Sequence, residues 1–201
     1  MADLFLMRHG QSIYNLQNRF TGDLDVPLTD EGIEEAKAAA IKLQDYKIDI
    51  AYTSKLERAI DTLQFILDSK KNNPIPVIKN EALNERNYGD LQGLNKTEVD
   101  KQYGEAQVLL WRRSYNITPP GGESLKDTSA RVLPFFHNVI FPELIKGSNV
   151  LVVAHGNSLR AIIKELDAIN DEDFMNLNID TGKIYFYRFG PDLKITDRKI
   201  L

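Results

Sequence analysis

The sequence has 201 residues, of which 42% are hydrophobic and 27% charged, a composition typical of one globular domain with a sizeable core. Its 25 basic and 29 acidic residues give a net charge of −4, so nucleic acids and anionic membranes are not expected as partners. The absence of cysteine excludes disulfides, thiolate catalysis and cysteine-ligated metals.

The apolar runs of the sequence bear on its location. No run approaches the length of a membrane span, and the first residues lack the basic region, apolar stretch and cleavage site of a signal peptide. We therefore expect a cytoplasmic protein. The sequence does not decide between a monomer and a homo-oligomer.

The first part of the chain alternates short apolar runs with amphipathic stretches, the pattern of strands joined by helices. Thr29 is the expected cap of the first long helix, because acids follow it in the first turn. Ser54 and Glu57 fit a capping box that would start the next helix. The other predicted elements are a strand over 3–8, a strand over 48–53, a helix end near Ser69, a loop over 70–74 and a strand over 76–79.

Residues 81–123 are less regular, with predicted short helices near 96–103 and 105–114 and a tight turn at 119–122. This excursion is too long for a plain crossover between strands. Long irregular excursions often form lids or walls of sites. We therefore expect residues 81–123 to be an insertion that covers the site.

Ser124 is expected to cap a long helix that runs toward Lys146, and two internal prolines should kink or break this helix. Strands alternating with helices predict a single α/β domain over residues 1–201, with a mainly parallel central sheet and helices on both faces. The remaining predictions are a kink or break at Pro134 and Pro142, a strand over 149–154, a helix over 157–167, and edge strands over 184–189 and 194–198.

Two of the three histidines share one short context, an apolar run followed by His-Gly-x-Ser. His9 ends the run that begins at Leu4, and His155 ends the run that begins at Val150. Each following glycine permits a sharp turn into a helix. Both imidazoles are therefore expected at the carboxyl ends of buried strands, where open α/β sheets bind ligands.

Arg8 favours an anion rather than a metal at this edge, because a fixed cation beside an imidazole attracts phosphate. Ser12, Asn15 and the helix start near them add hydrogen-bond donors. A neutral His9 could attack phosphorus near pH 7, and a protonated His155 could stabilise charge on a transferring phosphoryl group.

A metal site is the competing use of two histidines, and it would require a third ligand such as Glu85. Arg58 and Arg8 would repel the cation there. Glu85 has two interpretations on sequence grounds, a solvated loop residue or a general acid and base. His137, the third histidine, is interpreted as structural or exposed.

The remaining arginines are ambiguous from spacing alone. Arg58 could be an ordinary surface residue. Arg112 and Arg113, beside Trp111, could face solvent or could form a clamp for a carboxylate or phosphate, which the planar guanidinium suits.

The motifs Arg8-His9-Gly10 and His155-Gly156 resemble those of the histidine phosphatase superfamily. Within it, the chain resembles the cofactor-dependent phosphoglycerate mutases over nearly its whole length. The segments that carry this narrower resemblance are 18–22, 51–54, 83–89, 91–96, 107–113, 118–120 and 154–160.

The resemblance implies a role for each matching residue. His9 would be the phosphohistidine nucleophile and Glu85 the proton donor and acceptor for the substrate hydroxyl, while Arg8, Arg58 and His155 would surround the transferring phosphoryl group. The implied substrate-binding residues are Ser12, Asn15, Thr21, Gly22, Arg86, Tyr88, Lys96, Arg112, Arg113, Gly156 and Asn157.

The implied reaction is the interconversion of 3-phosphoglycerate and 2-phosphoglycerate in glycolysis and gluconeogenesis, primed by 2,3-bisphosphoglycerate and independent of metal. One alternative is a phosphatase that hydrolyses phosphate monoesters through the same His9. Lys96 and the Arg112-Arg113 pair favour the mutase, because a phosphatase with a loose pocket would not need them. A second alternative is a silent protein that binds phosphorylated ligands, against which the full catalytic set argues.

The sequence departs from the family pattern at several points. Gln11 replaces the usual Glu, and Asp23 replaces a usual aromatic residue. The segment after Pro120 lacks the longer loop of many mutases, and the C-terminal tail is short. Because that tail helps to cover the site in the family, the balance of mutase to phosphatase activity depends on water exclusion.

Overall fold

The computed structural model describes residues 1–70 and 74–201, so residues 71–73 of the predicted loop lie outside the described residues. Its sheet has the strand order β3-β2-β4-β1-β5-β6. The strands are β1 (Ala2–Arg8), β2 (Ile50–Thr53), β3 (Val77–Lys79), β4 (Val150–Ala154), β5 (Ile184–Phe189) and β6 (Ile195–Ile200). The first four are parallel and the last two antiparallel, which confirms the predicted α/β class and mainly parallel sheet.

Helices cover both faces of the sheet. They are α1 (Ile13–Leu16), α2 (Asp30–Leu43), α3 (Glu57–Ser69), α4 (Lys96–Tyr103), α5 (Glu105–Arg113), α6 (Leu125–Phe135), α7 (Phe141–Ile145), α8 (Gly156–Leu166) and α9 (Asp171–Phe174). Successive strand residues point to opposite faces, so Leu6 packs in a core with α6 and α8. Its neighbour Met7 packs with α2 and α3.

Ser54 does not form the predicted capping box. Helix α3 begins at Glu57, and its cap residue Leu56 makes no side-chain capping bond. The Ser54 hydroxyl instead accepts from the Leu56 amide and lies 2.7 Å from Nε2 of His155. The prediction was wrong because a buried histidine from a distant part of the chain uses this hydroxyl.

The C-terminal strands differ from the prediction in one respect. Strand β5 lies inside the sheet, where it pairs with β1 and with β6, and of these two C-terminal strands β6 is the one at an edge. The aromatic residues of β5 are largely buried as a result. A short run of apolar residues does not show whether a strand lies inside the sheet or at its edge.

Ser124 caps α6 as predicted, through a capping box with Asp127. The chain does not break at the two internal prolines. It passes through a π-helical turn, Phe136–Ile140, into α7. The π-helical turn lies between Pro134 and Pro142, which lack an amide hydrogen, and it changes the helical hydrogen-bond pattern there.

Residues 81–123 contain α4 and α5, as predicted, and short 3-10 turns at Glu81–Leu83 and Gly89–Leu91. They form a small hydrophobic cluster with Phe20, whose other buried members are Leu91, Val99, Val108 and Trp111. Gly89 packs on the turn at 119–122, because an added Cβ would lie 2.1 Å from the Pro120 carbonyl oxygen. The interpretation of this region as a site-covering insertion remains a prediction.

Candidate active site

His9 and His155 lie side by side at the carboxyl ends of β1 and β4. These strands are neighbours in the sheet, and the His9 amide donates to the Ala154 carbonyl over 3.0 Å. The two imidazole centroids are 4.9 Å apart, and both rings are almost fully buried. The predicted meeting of two imidazoles at this sheet edge is therefore observed.

The hydrogen bonds of His9 define its reactive nitrogen. Nδ1 lies 2.7 Å from the Gly10 carbonyl oxygen, so Nδ1 carries the hydrogen of the neutral ring. Nε2 accepts from Nε of Arg58 over 3.3 Å. Nε2 therefore carries the lone pair of the neutral ring, and in the ligand-free site this lone pair accepts from Arg58.

A close backbone contact fixes the loop that follows His9. A Cβ added to Gly10 would lie 2.2 Å from the carbonyl oxygen of Gly32, which belongs to the first turn of α2. A Cβ added to Gly32 would lie 2.1 Å from the Gln11 carbonyl oxygen. Only glycine fits at either position, so main chain packs directly on main chain.

Burial lowers the pKa of His9 well below its usual value, and the positive charges of Arg58 and Arg8 lower it further. The hydrogen bond to the Gly10 carbonyl opposes this shift. His9 is therefore neutral at pH 7, which is the form that can act as a nucleophile.

His155 is also neutral in the ligand-free site, since burial, Arg58 and His9 lower its pKa. Its Nε2 faces the Ser54 hydroxyl, while Nδ1 is buried without a hydrogen-bond partner in the structure. If Ser54 donates to Nε2, Nδ1 carries the hydrogen and can donate to a ligand. The protonated His155 expected from the sequence does not fit the ligand-free site. A bound anion would have to offset the positive charge of a protonated imidazole there.

Arg58 is fully buried and is not the surface residue that spacing alone allowed. Its guanidinium donates to the carbonyls of Leu24 and Gly22 over 2.9 and 2.8 Å as well as to His9. Burial lowers the pKa of Arg58 to about 10, against the opposing effect of Glu85 and Asp25. Arg58 remains a cation at neutral pH.

Glu85 has one fixed carboxylate oxygen and one that faces the pocket. Oε1 accepts from the backbone amides of Arg86 and Asn157 over 2.8 and 3.1 Å. Oε2 accepts no hydrogen bond from the described residues and lies 3.6 Å from the place of a Cβ on Gly156. A free carboxylate oxygen in this position can give or take a proton.

A cavity of about 180 Å³ opens at this sheet edge. Eleven of the predicted site residues line it: Arg8, Asn15, Thr21, Gly22, Glu85, Tyr88, Lys96, Arg112, Arg113, Gly156 and Asn157. His9, Arg58 and His155 are buried and lie outside this lining. Arg58 connects them to it, because its guanidinium bonds both His9 and the carbonyl of the lining residue Gly22. The helix residues Arg112 and Arg113 thus face the cavity, which their spacing could not decide.

Two predicted binding residues do not line the cavity. The Ser12 hydroxyl caps α1 by bonding to Asn15. Arg86 is fully buried and donates to the carbonyls of Glu123 and Trp111, both over 2.6 Å. The Arg86 guanidinium thus joins chain segments beneath the site, and its assignment to substrate binding remains a prediction.

The cavity has further lining residues that the sequence did not single out: Arg19, Phe20, Arg160, Asn178 and Ile179. Arg19, Phe20 and Arg160 lie within the motifs quoted for the family resemblance, so the motifs contained a signal for them. Asn178 and Ile179 lie in a loop without a motif, and the Ile179 carbonyl accepts from Arg8 over 2.6 Å.

Six cations line the cavity with a single carboxylate, Glu85. They are Arg8, Arg19, Lys96, Arg112, Arg113 and Arg160. Within residues 1–70 and 74–201, none of the six forms an ion pair. Burial and the nearby Arg112 lower the pKa of Lys96 to about 8, and burial and Arg113 lower that of Arg160 to about 10. Such an excess of positive charge favours a polyanionic ligand.

The two departures from the family motif lie around the cavity rather than at the reacting groups. The Gln11 amide donates to Glu31 and accepts from Thr29, over 3.1 and 2.9 Å. The exposed Asp23 accepts from the side chain of Asn87 over 2.8 Å. Asp23 therefore links the loop at residues 22–24, whose carbonyls accept from Arg58, to the segment that carries Glu85.

Two features are absent from the described residues. These residues contain no group of three or more His, Cys, Asp or Glu side chains that could hold a metal ion. None of the helices in this part of the chain is long and apolar enough to span a membrane.

The fold and the paired histidines define a class. A family model described as the histidine phosphatase superfamily (branch 1) matches residues 4–198, and the chain belongs to this superfamily. A mycobacterial glucosyl-3-phosphoglycerate phosphatase solved with VO3 is 28% identical, with a TM-score of 0.84 over 100% of this chain and 98% of that chain. The alpha-ribazole phosphatase from Shigella flexneri is 26% identical, with a TM-score of 0.83 over 98% and 95%.

More similar sequences narrow the class. The 2,3-bisphosphoglycerate-dependent phosphoglycerate mutase of Cytophaga hutchinsonii is 53% identical over 195 residues, which cover 97% of this chain and 91% of that protein. The mutase of the same name from Mesorhizobium japonicum is 50% identical over 200 residues, which cover 98% and 97%. Within the superfamily, the chain belongs to the 2,3-bisphosphoglycerate-dependent phosphoglycerate mutases, and the resemblance carried by its motifs is confirmed.

Proposed function

We propose that this chain interconverts 3-phosphoglycerate and 2-phosphoglycerate, with His9 as the phosphorylated residue and 2,3-bisphosphoglycerate as the primer. The six cavity cations, which form no ion pair within the described part of the chain, carry this proposal, because they fit a ligand with two phosphates and a carboxylate. Within the described residues, Nε of Arg8 and Nδ1 of His155 are buried without hydrogen-bond partners, and Nδ1 is a donor when Ser54 donates to Nε2; both nitrogens support the proposal further. Unsatisfied buried donors are costly, and phosphoryl oxygens would satisfy them.

The residues present fit the primer. Arg8, Arg58 and His155 would hold the phosphoryl group next to His9, and Lys96, Arg112 and Arg113 would hold the rest of the molecule. The primer supplies the phosphoryl group that His9 carries at the start of turnover.

The first transfer begins with phosphorylated His9. The free hydroxyl oxygen of 3-phosphoglycerate attacks phosphorus as the bond from phosphorus to Nε2 breaks. The hydroxyl proton passes to Oε2 of Glu85, and Nε2 regains its lone pair. Arg8 and Arg58 stabilise the charge on the equatorial oxygens during this step.

The second transfer returns the enzyme to its initial state. The bisphosphate formed in the cavity reorients, and the lone pair of Nε2 attacks its other phosphorus atom. The bond from that phosphorus to the substrate oxygen breaks, and Glu85 returns the proton to this oxygen. The ring of cations holds the bisphosphate while it turns, so it is not lost to solvent.

A phosphatase that uses the same His9 is the second candidate, because related solved structures include phosphatases. In that reaction a phosphate monoester would phosphorylate His9, and water, instead of a substrate hydroxyl, would then attack the phosphohistidine and release free phosphate. The proposal of a cytoplasmic location rests on the glycolytic reaction.

One assay separates the two candidates. Purified protein receives 3-phosphoglycerate with and without trace 2,3-bisphosphoglycerate, and 2-phosphoglycerate and free phosphate are measured in the same tube. We expect primer-dependent 2-phosphoglycerate with little free phosphate. Free phosphate without isomerisation would instead assign the chain to the phosphatases, and binding without either product would assign it to the silent proteins.

A further inference from the structure

Arg131, on helix α6, lies outside the cavity and uses every donor of its guanidinium. Nε and Nη2 donate to the two carboxylate oxygens of Glu123, both over 3.0 Å. Nη1 donates to the carbonyls of Ala82 and Asn84 over 2.9 and 3.0 Å, and Nη2 also donates to the carbonyl of Glu85 over 3.0 Å. An arginine has five N–H groups, so none remains free.

The acceptors of Arg131 lie in the segment that carries the pocket carboxylate. Glu123 also accepts from the Asn87 amide over 3.0 Å, and its own amide donates to the Asn87 carbonyl over 2.9 Å. The main chain is therefore attached to α6 on both sides of Glu85. This segment lacks strand partners, so these bonds replace a sheet as its support.

The side chain of Glu85 is held separately, by the amides of Arg86 and Asn157. Only one of these amides belongs to another element, α8. The place of Oε2 in the cavity thus depends on the distance between the 82–87 segment and α8. Arg131 sets the position of that segment.

We propose that Arg131 is a positioning residue for proton transfer, which acts by placing the main chain of Glu85 so that Oε2 faces the substrate hydroxyl. This inference rests on the proposed function, because it assumes that Glu85 moves the proton. Displacing a reacting group by about 1 Å can cost on the order of 100-fold in rate. The effect should appear in kcat, since Arg131 does not touch the cavity.

The chain offers a matched control. Arg188 donates from Nε and Nη2 to both oxygens of Asp3, over 2.8 and 2.9 Å, and it lies on β5 outside the cavity lining. The Arg188→Gln variant therefore loses a similar paired bond without affecting Glu85.

The test is a double-mutant cycle of Arg131→Gln with Glu85→Gln. In the wild-type background, Arg131→Gln should lower kcat about 10- to 100-fold. KM for 3-phosphoglycerate and the amount of phosphoenzyme at saturating primer should change less than about threefold. In the Glu85→Gln background, Arg131→Gln should change kcat by less than about threefold, because the group it positions is absent. Arg188→Gln should leave kcat unchanged in both backgrounds.

Equal losses of kcat in the two backgrounds would overturn the inference, as would a loss confined to KM. Thermal unfolding identifies a variant that does not fold. If Arg131→Gln does not fold, Arg131→Lys, which keeps the charge but loses the planar guanidinium, replaces it in the same cycle, and we expect a smaller loss of kcat. If wild-type protein releases phosphate instead of isomerising the substrate, the proposed function fails, and the same cycle measured by phosphate release still decides the role of Arg131.

Discussion

Nε of Arg58 donates a hydrogen bond to Nε2 of His9 over 3.3 Å, so a fixed cation lies against the lone pair of the imidazole. This relationship keeps the proton off His9. A phosphoryl group bound to Nε2 would place its negative oxygens within the field of the same guanidinium. Arg58 therefore favours both the neutral nucleophile and its phosphorylated form.

Replacing His9 by alanine should abolish the phosphoenzyme and lower kcat on the order of 1000-fold or more, because no other nucleophile lies at this position. Incubation with radiolabelled 2,3-bisphosphoglycerate, followed by detection of acid-labile label on the protein, measures this directly. Label that survives in the variant would place the phosphorylated residue elsewhere.

Glu85→Gln should keep substrate affinity and lower kcat about 100- to 1000-fold, the range typical of a lost general acid and base. The amide preserves the shape and can still accept at one oxygen. Steady-state kinetics with primer present would give kcat and KM separately. A kcat near that of the wild type would remove Glu85 from proton transfer.

Arg112→Ala should raise KM for 3-phosphoglycerate about 10- to 100-fold, because a hydrogen bond to a charged group contributes about 1.5–3 kcal/mol. Lys101→Ala is a suitable control, since Lys101 is exposed, pairs with Glu98 and lies outside the cavity lining. If both variants bind substrate as the wild type does, the clamp does not include Arg112.

The pH dependence of kcat/KM should report Lys96. Its pKa, lowered to about 8 by burial and neighbouring arginines, means that the free enzyme loses this charge as the pH rises through 8. We expect kcat/KM to fall above pH 8 in the wild type, and the Lys96→Arg variant to lack this fall up to about pH 10. An identical alkaline limb in both proteins would assign the transition to another group.

Acid should destabilise the protein through its two buried histidines. Burial lowers the pKa of His9 and of His155, so below pH 6.5 the unfolded chain binds protons that the folded protein does not. The free energy of unfolding therefore falls as the pH decreases below 6.5, by about 1.4 kcal/mol per pH unit for each histidine. Urea unfolding between pH 7.5 and 5 should show a shallower dependence for His155→Asn; parallel curves for the two proteins would contradict this.

The elements that the sequence predicted well are those whose pattern is local. The apolar run before His9 identifies β1, and Thr29 and Ser124 mark the starts of α2 and α6, because caps and periodicity depend on neighbouring residues. The convergence of His9 and His155 also followed from the sequence, since parallel strands end at one sheet edge.

The features that sequence reasoning missed depend on partners far along the chain. The Ser54 hydroxyl is used by His155, which lies 101 residues away, and the fork of Arg86 is used by the Trp111 carbonyl. Neither partner is visible in a local pattern. The same holds for β5, whose place inside the sheet depends on β6.

The contact of Gly10 with Gly32 has a consequence for how the nucleophile responds to change. No side chain fits between Gly10 and Gly32 themselves, so at this contact no rotamer can shift when temperature, ligand or a distant substitution alters the packing. The main chain that carries the imidazole is held by peptide planes, and the ring itself bonds to the Gly10 carbonyl and to Arg58. The main-chain position of the nucleophile is thereby separated from the plasticity of the hydrophobic core.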